Sequence, residues 1–299
     1  MSRQTKNIRG LYSGDVNVGQ TNVRNGGNVT IDNSLLSVDE ILRTDTFPAA
    51  DFGKNPTINL QTGRVLYRTN DAAIGANSYA ISVSHVYNSQ IGEYSSCLFP
   101  GIGNGWKLNL QQVIIGETVD SNNANTVRES WLYIDADGNT HEYRLFDDTH
   151  KRYYATDDAT NVLTEYTGLC VIEDGIGNNI VFTLQSIDGV DVGLITKSVS
   201  CKSAEIVKHY EYDSQRRLVK VYDGRKMVGG KTKSYIELKY DDVTELLVSV
   251  TAYDRFNKKL SVTRYEYIDN RLARIYVVAL NKGHQEVMSK LVTKLDYAS

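Results

Sequence analysis

The chain of 299 residues carries 33 Lys and Arg against 36 Asp and Glu, a formal net charge of −3, and no long basic run to follow a phosphate backbone, so nucleic acid is not an expected partner. No stretch reaches the roughly 18 consecutive apolar residues of a membrane-crossing helix, and Met1 to Asn7 has no apolar core behind its charges, so neither membrane insertion nor a Sec-type signal peptide is expected. Cys97, Cys170 and Cys201 are odd in number and lack Cys-x-x-Cys spacing, which argues against a disulfide framework and a zinc site and leaves three buried thiols as the expectation.

Residues 1–55 read as an Asn/Gly-rich arm in which Val16, Val18, Val23, Val29 and Ile31 are separated by polar residues, as in loosely ordered chain or strands completed on a partner. Ser37-Val38-Asp39-Glu40 has capping-box spacing, with Val38, Ile41 and Leu42 on one face, and predicts one brief helix ending before Pro48. Residues 56–299 read as strand, turn, strand. The chain has 20 tyrosines against 6 phenylalanines, which favours rings that cover a sheet while their hydroxyls reach its wet side. After Pro48, Pro56 and Pro100 no proline follows to interrupt a ladder.

Tyr79 to Asn88 alternates with a period of two and predicts a half-buried strand. Trp131-Leu132-Tyr133 and Tyr143-Arg144-Leu145 flank Asp137-Gly138-Asn139. Val171-Ile172 and Ile180-Val181-Phe182 flank Asp174-Gly175 to Asn179, so two hairpins are predicted.

The last third repeats itself. HYEYDSQRRLVKVYDG at 209–224 returns as RYEYIDNRLARIYV at 264–277, and the region holds Tyr212-Asp213, Tyr222-Asp223, Tyr240-Asp241 and Tyr253-Asp254, with Tyr267-Ile268-Asp269 carrying one inserted residue. Tyr212, Tyr240 and Tyr267 are 28 and 27 residues apart and Tyr222 and Tyr253 are 31 apart, a period at which stacked units bury faces that none buries alone. Within one unit, Tyr210 and Tyr212 cover the layer below, Asp213-Ser214-Gln215 turn the chain, and Leu218 with Val221 begin the return, as Leu272 does in the second copy. Arg217 and Lys220 stay wet or meet Asp213 and Asp223, which suits a protected sheet edge better than a ligand site.

Little else carries chemistry. Asp135, Asp137 and Asn139 offer oxygens, but Gly138 stands fourth instead of sixth and Phe146 twelfth, so a turn is expected and not a calcium loop. Gly101, Gly103 and Gly105 follow Pro100 and lead into Lys107-Leu108, without phosphate-loop spacing, and are read as a tight bend beside Trp106. His85, His141, His150, His209 and His284 have no metal spacing, and no Gly-x-Ser-x-Gly elbow occurs. No catalytic residue, metal site or cofactor is nominated, and an enzyme is not expected.

The phrase YEYDSQRRLVKVYDG resembles the repeat of Rhs proteins and their YD-repeat relatives. NLQTGRV (Asn59, Gly63), HVYNSQ (Tyr87, Asn88) and GNGWKLNL (Gly105, Trp106) are similar to the entry of that family's repeat shell, and the resemblance covers about residue 56 to the end. It implies an all-β fold: a curved antiparallel sheet of YD-repeat hairpins over about 205–280, a partial shell or open barrel-like layer, with a small N-terminal arm and one short helix. It also implies bacterial origin, a wall that sequesters a toxic polypeptide, and a cytoplasmic stage before export by a contractile secretion machine. The chain departs from the family in lacking the Asp-Pro and Gly-rich plug region and a toxin. The expected function is therefore a non-catalytic structural shell segment that assembles through its sheet edges with itself or with a larger repeat protein. The alternative is a cell-surface module whose exposed tyrosines stack on a glycan or cell-wall polymer.

Overall fold

The computed structural model describes residues 46–48, 57–59, 65–117 without 70, 75–79, 90 and 92–94, 127–201 without 188, 206–224 and 233–297. Gly63 and the expected helix after Ser37 lie outside these residues. A five-stranded sheet, in the order β1-β2-β3-β6-β7, is built from β1 (Thr46–Pro48), β2 (Thr57–Asn59, holding Asn59), β3 (Val65–Arg68), β6 (His85–Asn88) and β7 (Trp106–Leu108). β4 (Ala72–Ile74) and β5 (Ile81–Val83) form a separate pair, and the one helix among the described residues is the single turn α1 (Ser95–Leu98).

The segment expected as one half-buried strand is thus two strands in different sheets. β5 is half-buried as expected, with Ser82 exposed between Ile81 and Val83, whereas both faces of β6 are covered, because His85, Val86 and Asn88 are buried.

Eight strands then close on themselves: β8 (Val113–Glu117), β9 (Ser130–Ile134), β10 (Thr140–Asp147), β11 (Arg152–Ala155), β12 (Val162–Tyr166), β13 (Leu169–Glu173), β14 (Asn179–Ile187) and β15 (Val190–Val199). β15 closes the ring, pairing with β14 along one edge and with β8 along Val190–Leu194 of the other. A ring of cross-strand neighbours fills the interior: Trp131 beside Tyr143, Leu163 beside Ile172, Cys170 beside Phe182, Phe182 beside Ile195. Tyr133 meets Phe182 across the barrel at 5.9 Å, so the lumen is a packed core. Gly193 is required there, because a Cβ would stand 2.5 Å from Ile114 Cγ1.

The far half of β15, Lys197–Val199, pairs on that same edge with β16 (Ile206–Tyr212). From there an open antiparallel strip runs through β17 (Leu218–Asp223), β18 (Tyr235–Tyr240), β19 (Leu247–Tyr253), β20 (Lys259–Ile268), β21 (Arg271–Leu280) and β22 (Glu286–Lys294). The chain is all-β, a closed barrel continued as a curved sheet.

One turn recurs in both parts. Asp135, Asp174, Asp213, Asp254 and Asn281 each accept the N–H groups two and four residues ahead on Oδ1. The fourth residue of each turn has positive φ: 77° at Gly138, 85° at Gly177, 65° at Arg216, 61° at Asn257 and 63° at His284. Both hairpins expected upstream of the repeats use it.

Cys97 and Cys170 are buried, but Cys201 is exposed, correcting the expectation of three buried thiols; it follows the end of β15 at the rim of the sheet.

Candidate functional site

The repeat residues divide between the two faces of the strip. Tyr212, Tyr240 and Tyr267 lie on the inner face and pack against the core. Each pairs across its hairpin with a leucine that is 0% exposed: Tyr212 with Leu218, Tyr240 with Leu247, Tyr267 with Leu272. A β-bulge lies at each pair, so the next inward residue on the return strand comes three places on, at Val221, Val250 and Ile275, all buried. Tyr240 Oη donates to Leu218 O at 2.8 Å, and Tyr297 Oη donates to Leu272 O at 2.6 Å. The hydroxyls of Tyr212 and Tyr267 are buried without a partner. Burial pushes the Tyr212, Tyr240 and Tyr267 hydroxyls well above their ordinary range.

Gly101, Gly103 and Gly105 run along this ladder with φ of 85°, 92° and 81°. A Cβ on Gly101 would stand 2.7 Å from the Tyr240 ring, on Gly103 3.1 Å from Tyr267, and on Gly105 2.7 Å from Tyr87. The backbone is tied down as well, by Leu247 N to Gly101 O at 2.7 Å and Asn104 N to Asn270 O at 2.7 Å. The bend expected beside Trp106 is therefore also a strap across two hairpins of the strip.

Four of the six entry-motif residues, Tyr87, Asn88, Gly105 and Trp106, meet where the N-terminal sheet touches both halves of the molecule. Tyr87 and Trp106 are cross-strand partners with rings 5.4 Å apart, and Trp106 Nε1 donates to Tyr297 Oη at 2.9 Å. Asn88, 0% exposed, donates Nδ2 to Asp137 O and Gly138 O at 3.0 and 2.9 Å, and Arg68 pairs with Asp137. Lys107, also 0% exposed, donates to Asp135 O and Ala136 O at 2.8 and 2.9 Å. Burial lowers its amine to about 7 against the pull of Asp135. In the same corner His141 bridges Asp135 and Asp157. Burial opposes its charge, but the hydrogen bonds and charges of both carboxylates raise it to about 10.

Two further polar clusters are buried. Arg128, stacked 3.9 Å over Trp131, pairs with Glu165 at 3.0 Å and with Asp191 at one mouth of the barrel. Asp71 accepts from Tyr265 Oη at 3.1 Å and lies 2.6 Å from His85 Nδ1, while Thr263 Oγ1 donates to Asp71 O at 2.6 Å, pinning β4 to β20.

Tyr222 and Tyr253 lie on the outer face in a row with Tyr235. Tyr253 stacks on Tyr235 at 4.6 Å and 18°, and Lys220 Nζ sits 3.9 Å from the Tyr235 centroid, so both faces of the central ring are taken. Asp213, Asp241 and Asp254 open turns, whereas Asp223 is buried at the end of β17 with its N–H on Ser234 O at 3.0 Å. Sequence alone does not single out Leu247, although the Leu-x-x-Val/Ile spacing is its readable sign; it gives Gly101, Gly103 and Gly105 as a bend but not as a strap, because Gly101 and Gly103 find Tyr240 and Tyr267 well over a hundred residues downstream. No group of three His, Cys, Asp or Glu able to hold a metal occurs among the described residues.

β22 ends the strip. No described strand pairs with its second edge, and Val287, Met288, Leu291 and Val292 are 62%, 65%, 44% and 39% exposed. A free ladder edge flanked by apolar side chains on both faces is a template for another strand.

No family model matches the sequence, and no curated protein matches it. Among solved structures, the chain is similar to one described as TcdB2-TccC3-TEV, with 13% identity and a TM-score of 0.49 over 81% of this chain; it spans 16% of the length of that chain. It is also similar to a porin-like protein from Bacteroides uniformis, with 9% identity and a TM-score of 0.23 over 60% of this chain and 93% of that one.

Proposed function

We propose that the chain is a non-catalytic, Rhs-like shell segment, with residues 56–299 as its repeat-bearing wall and residues 1–55 as an arm, and that it assembles through its open sheet edge with itself or with a larger repeat protein to sequester or deliver a toxic polypeptide. The observation that carries this reading is the edge of β22, which no described strand pairs and beside which Val287, Met288, Leu291 and Val292 are exposed, at the end of a strip whose hairpins already cover one another. The sequence resemblance of residues 209–224 and 264–277 to YD repeats supports it, as does the use of the conspicuous side chains in holding strands together. Sedimentation velocity across a wide concentration range tests the self-assembly arm. If the chain assembles with itself through this edge, the wild type associates and the V287K/L291K variant remains monomeric. A wild type that is monomeric throughout removes assembly with itself.

A further inference from the structure

Each strand that ends in a ladder tyrosine has a hairpin mate, with one exception. β16, β18 and β20 carry Tyr212, Tyr240 and Tyr267, and their mates β17, β19 and β21 place Leu218, Leu247 and Leu272 opposite. Tyr297, after β22, occupies the next rung by three separate relations. Its hydroxyl donates to Leu272 O as that of Tyr240 does to Leu218 O. Arg271 lies 5.3 Å from its ring centroid as Arg217 lies 4.6 Å from that of Tyr240. It touches Trp106, continuing the strap on which Gly101 meets Tyr240 and Gly103 meets Tyr267. A rung is present, and the strand that faces it elsewhere is missing among the described residues.

We infer that the free edge of β22 takes an antiparallel strand of this protein's own return-strand pattern, a leucine followed three residues later by valine or isoleucine, with the leucine opposite Tyr297. The inference rests on the shell reading and names the chemistry of the partner. Continuity of the ladder selects this occupant: the bulge at each rung turns both Leu and Val/Ile inward, where a regular alternating strand would turn only one of them. The exposed apolar residues of β22 supply the neighbouring surface.

The probe is an acetylated peptide with the sequence of Arg216 to Gly224, titrated into the full chain, with hydrogen exchange of residues 286–294 and Trp106 fluorescence as readouts. Saturable binding is expected, with β22 amides slowed at least about tenfold, and with affinity lowered at least about tenfold when the peptide leucine is aspartate. A Leu291→Lys chain, altered at an exposed position and checked for folding by circular dichroism, is expected to lose the protection. Equal protection by the leucine and aspartate peptides overturns the pattern while leaving edge assembly standing. No protection by either, together with a monomeric chain, removes both readings. Self-association that protects β22 and is not displaced by the peptide makes a second copy the occupant and overturns the inference.

Discussion

The barrel of residues 113–199 and the strip of residues 206–297 use the same Asx-opened hairpin, yet they bury themselves differently. In the barrel, β15 returns to β8, every strand has two neighbours, and aromatic rings meet across a shared lumen. In the strip, no described strand returns to the first; the inner face is covered by the Gly101–Gly105 strap and by β4, which packs on β19 and β20. Closure buries the barrel residues against one another across a lumen, whereas in the strip the inward residues are buried against a covering segment, although one continuous hydrophobic core runs through both. The same turn chemistry therefore serves a closed sheet and an open one.

That contrast can be broken most severely in the lumen. Phe182→Ala is expected to cost about 3–5 kcal/mol and to speed amide exchange throughout the barrel together. Leu272→Ala, at about 2–5 kcal/mol, is expected to speed exchange in β20 to β22 while the barrel keeps its protection. Equal loss in both regions after Leu272→Ala would make the molecule a single cooperative unit. Gly101→Ala, which forces a Cβ to 2.7 Å from the Tyr240 ring at positive φ, is expected to cost about 1–3 kcal/mol, read as a lower denaturation midpoint.

Smaller effects sharpen the ladder. Tyr240→Phe removes the bond to Leu218 O and is expected to cost about 0.5–1.5 kcal/mol, whereas Tyr267→Phe removes a buried hydroxyl without a partner and is expected to be neutral or stabilising by chemical denaturation. The least visible effect is the pH dependence of the wild type. Lys107, at about 7 when folded against 10.5 ordinarily, has lost a proton the unfolded chain keeps, so its contribution to stability rises with pH across that window. His141, at about 10 against 6.5, keeps a proton the unfolded chain loses, so its contribution falls with pH across an overlapping window. The two slopes oppose each other. Thermal melts from pH 7 to 9, below the range in which unfolded tyrosines ionise while buried ones such as Tyr212, Tyr240 and Tyr267 stay protonated, are expected to be nearly flat for the wild type, to rise with pH for His141→Gln and to fall for Lys107→Met.

What could be read from sequence was local. The turns at Asp135, Asp174 and Asp213 were legible because an Asx residue, its amide partners and the positive-φ position fall within five residues. The all-β class follows from composition and from what the YD-repeat resemblance implies, the covering role of Tyr210 and Tyr212 from strand alternation, and the interleaved spacings are resolved by the two faces, with Tyr212, Tyr240 and Tyr267 inside and Tyr222 and Tyr253 outside. Closure was not legible, since it depends on Val113–Glu117 meeting Val190–Leu194, and nothing near either segment names the other. Likewise Lys107 reads as a surface charge until the Asp135 turn is folded over it.

β15 has a double duty whose consequence is one of timing. A nascent chain leaving the ribosome from its N-terminus can seal the barrel seam once Leu194 has emerged, before any of residues 206–297 exist outside the tunnel. Lys197–Val199 then stands as a ready-made ledge on a finished object, and each later hairpin is laid against the last. The strand order thus permits vectorial growth of the sheet, seeded at Lys197–Val199 and carried toward β22.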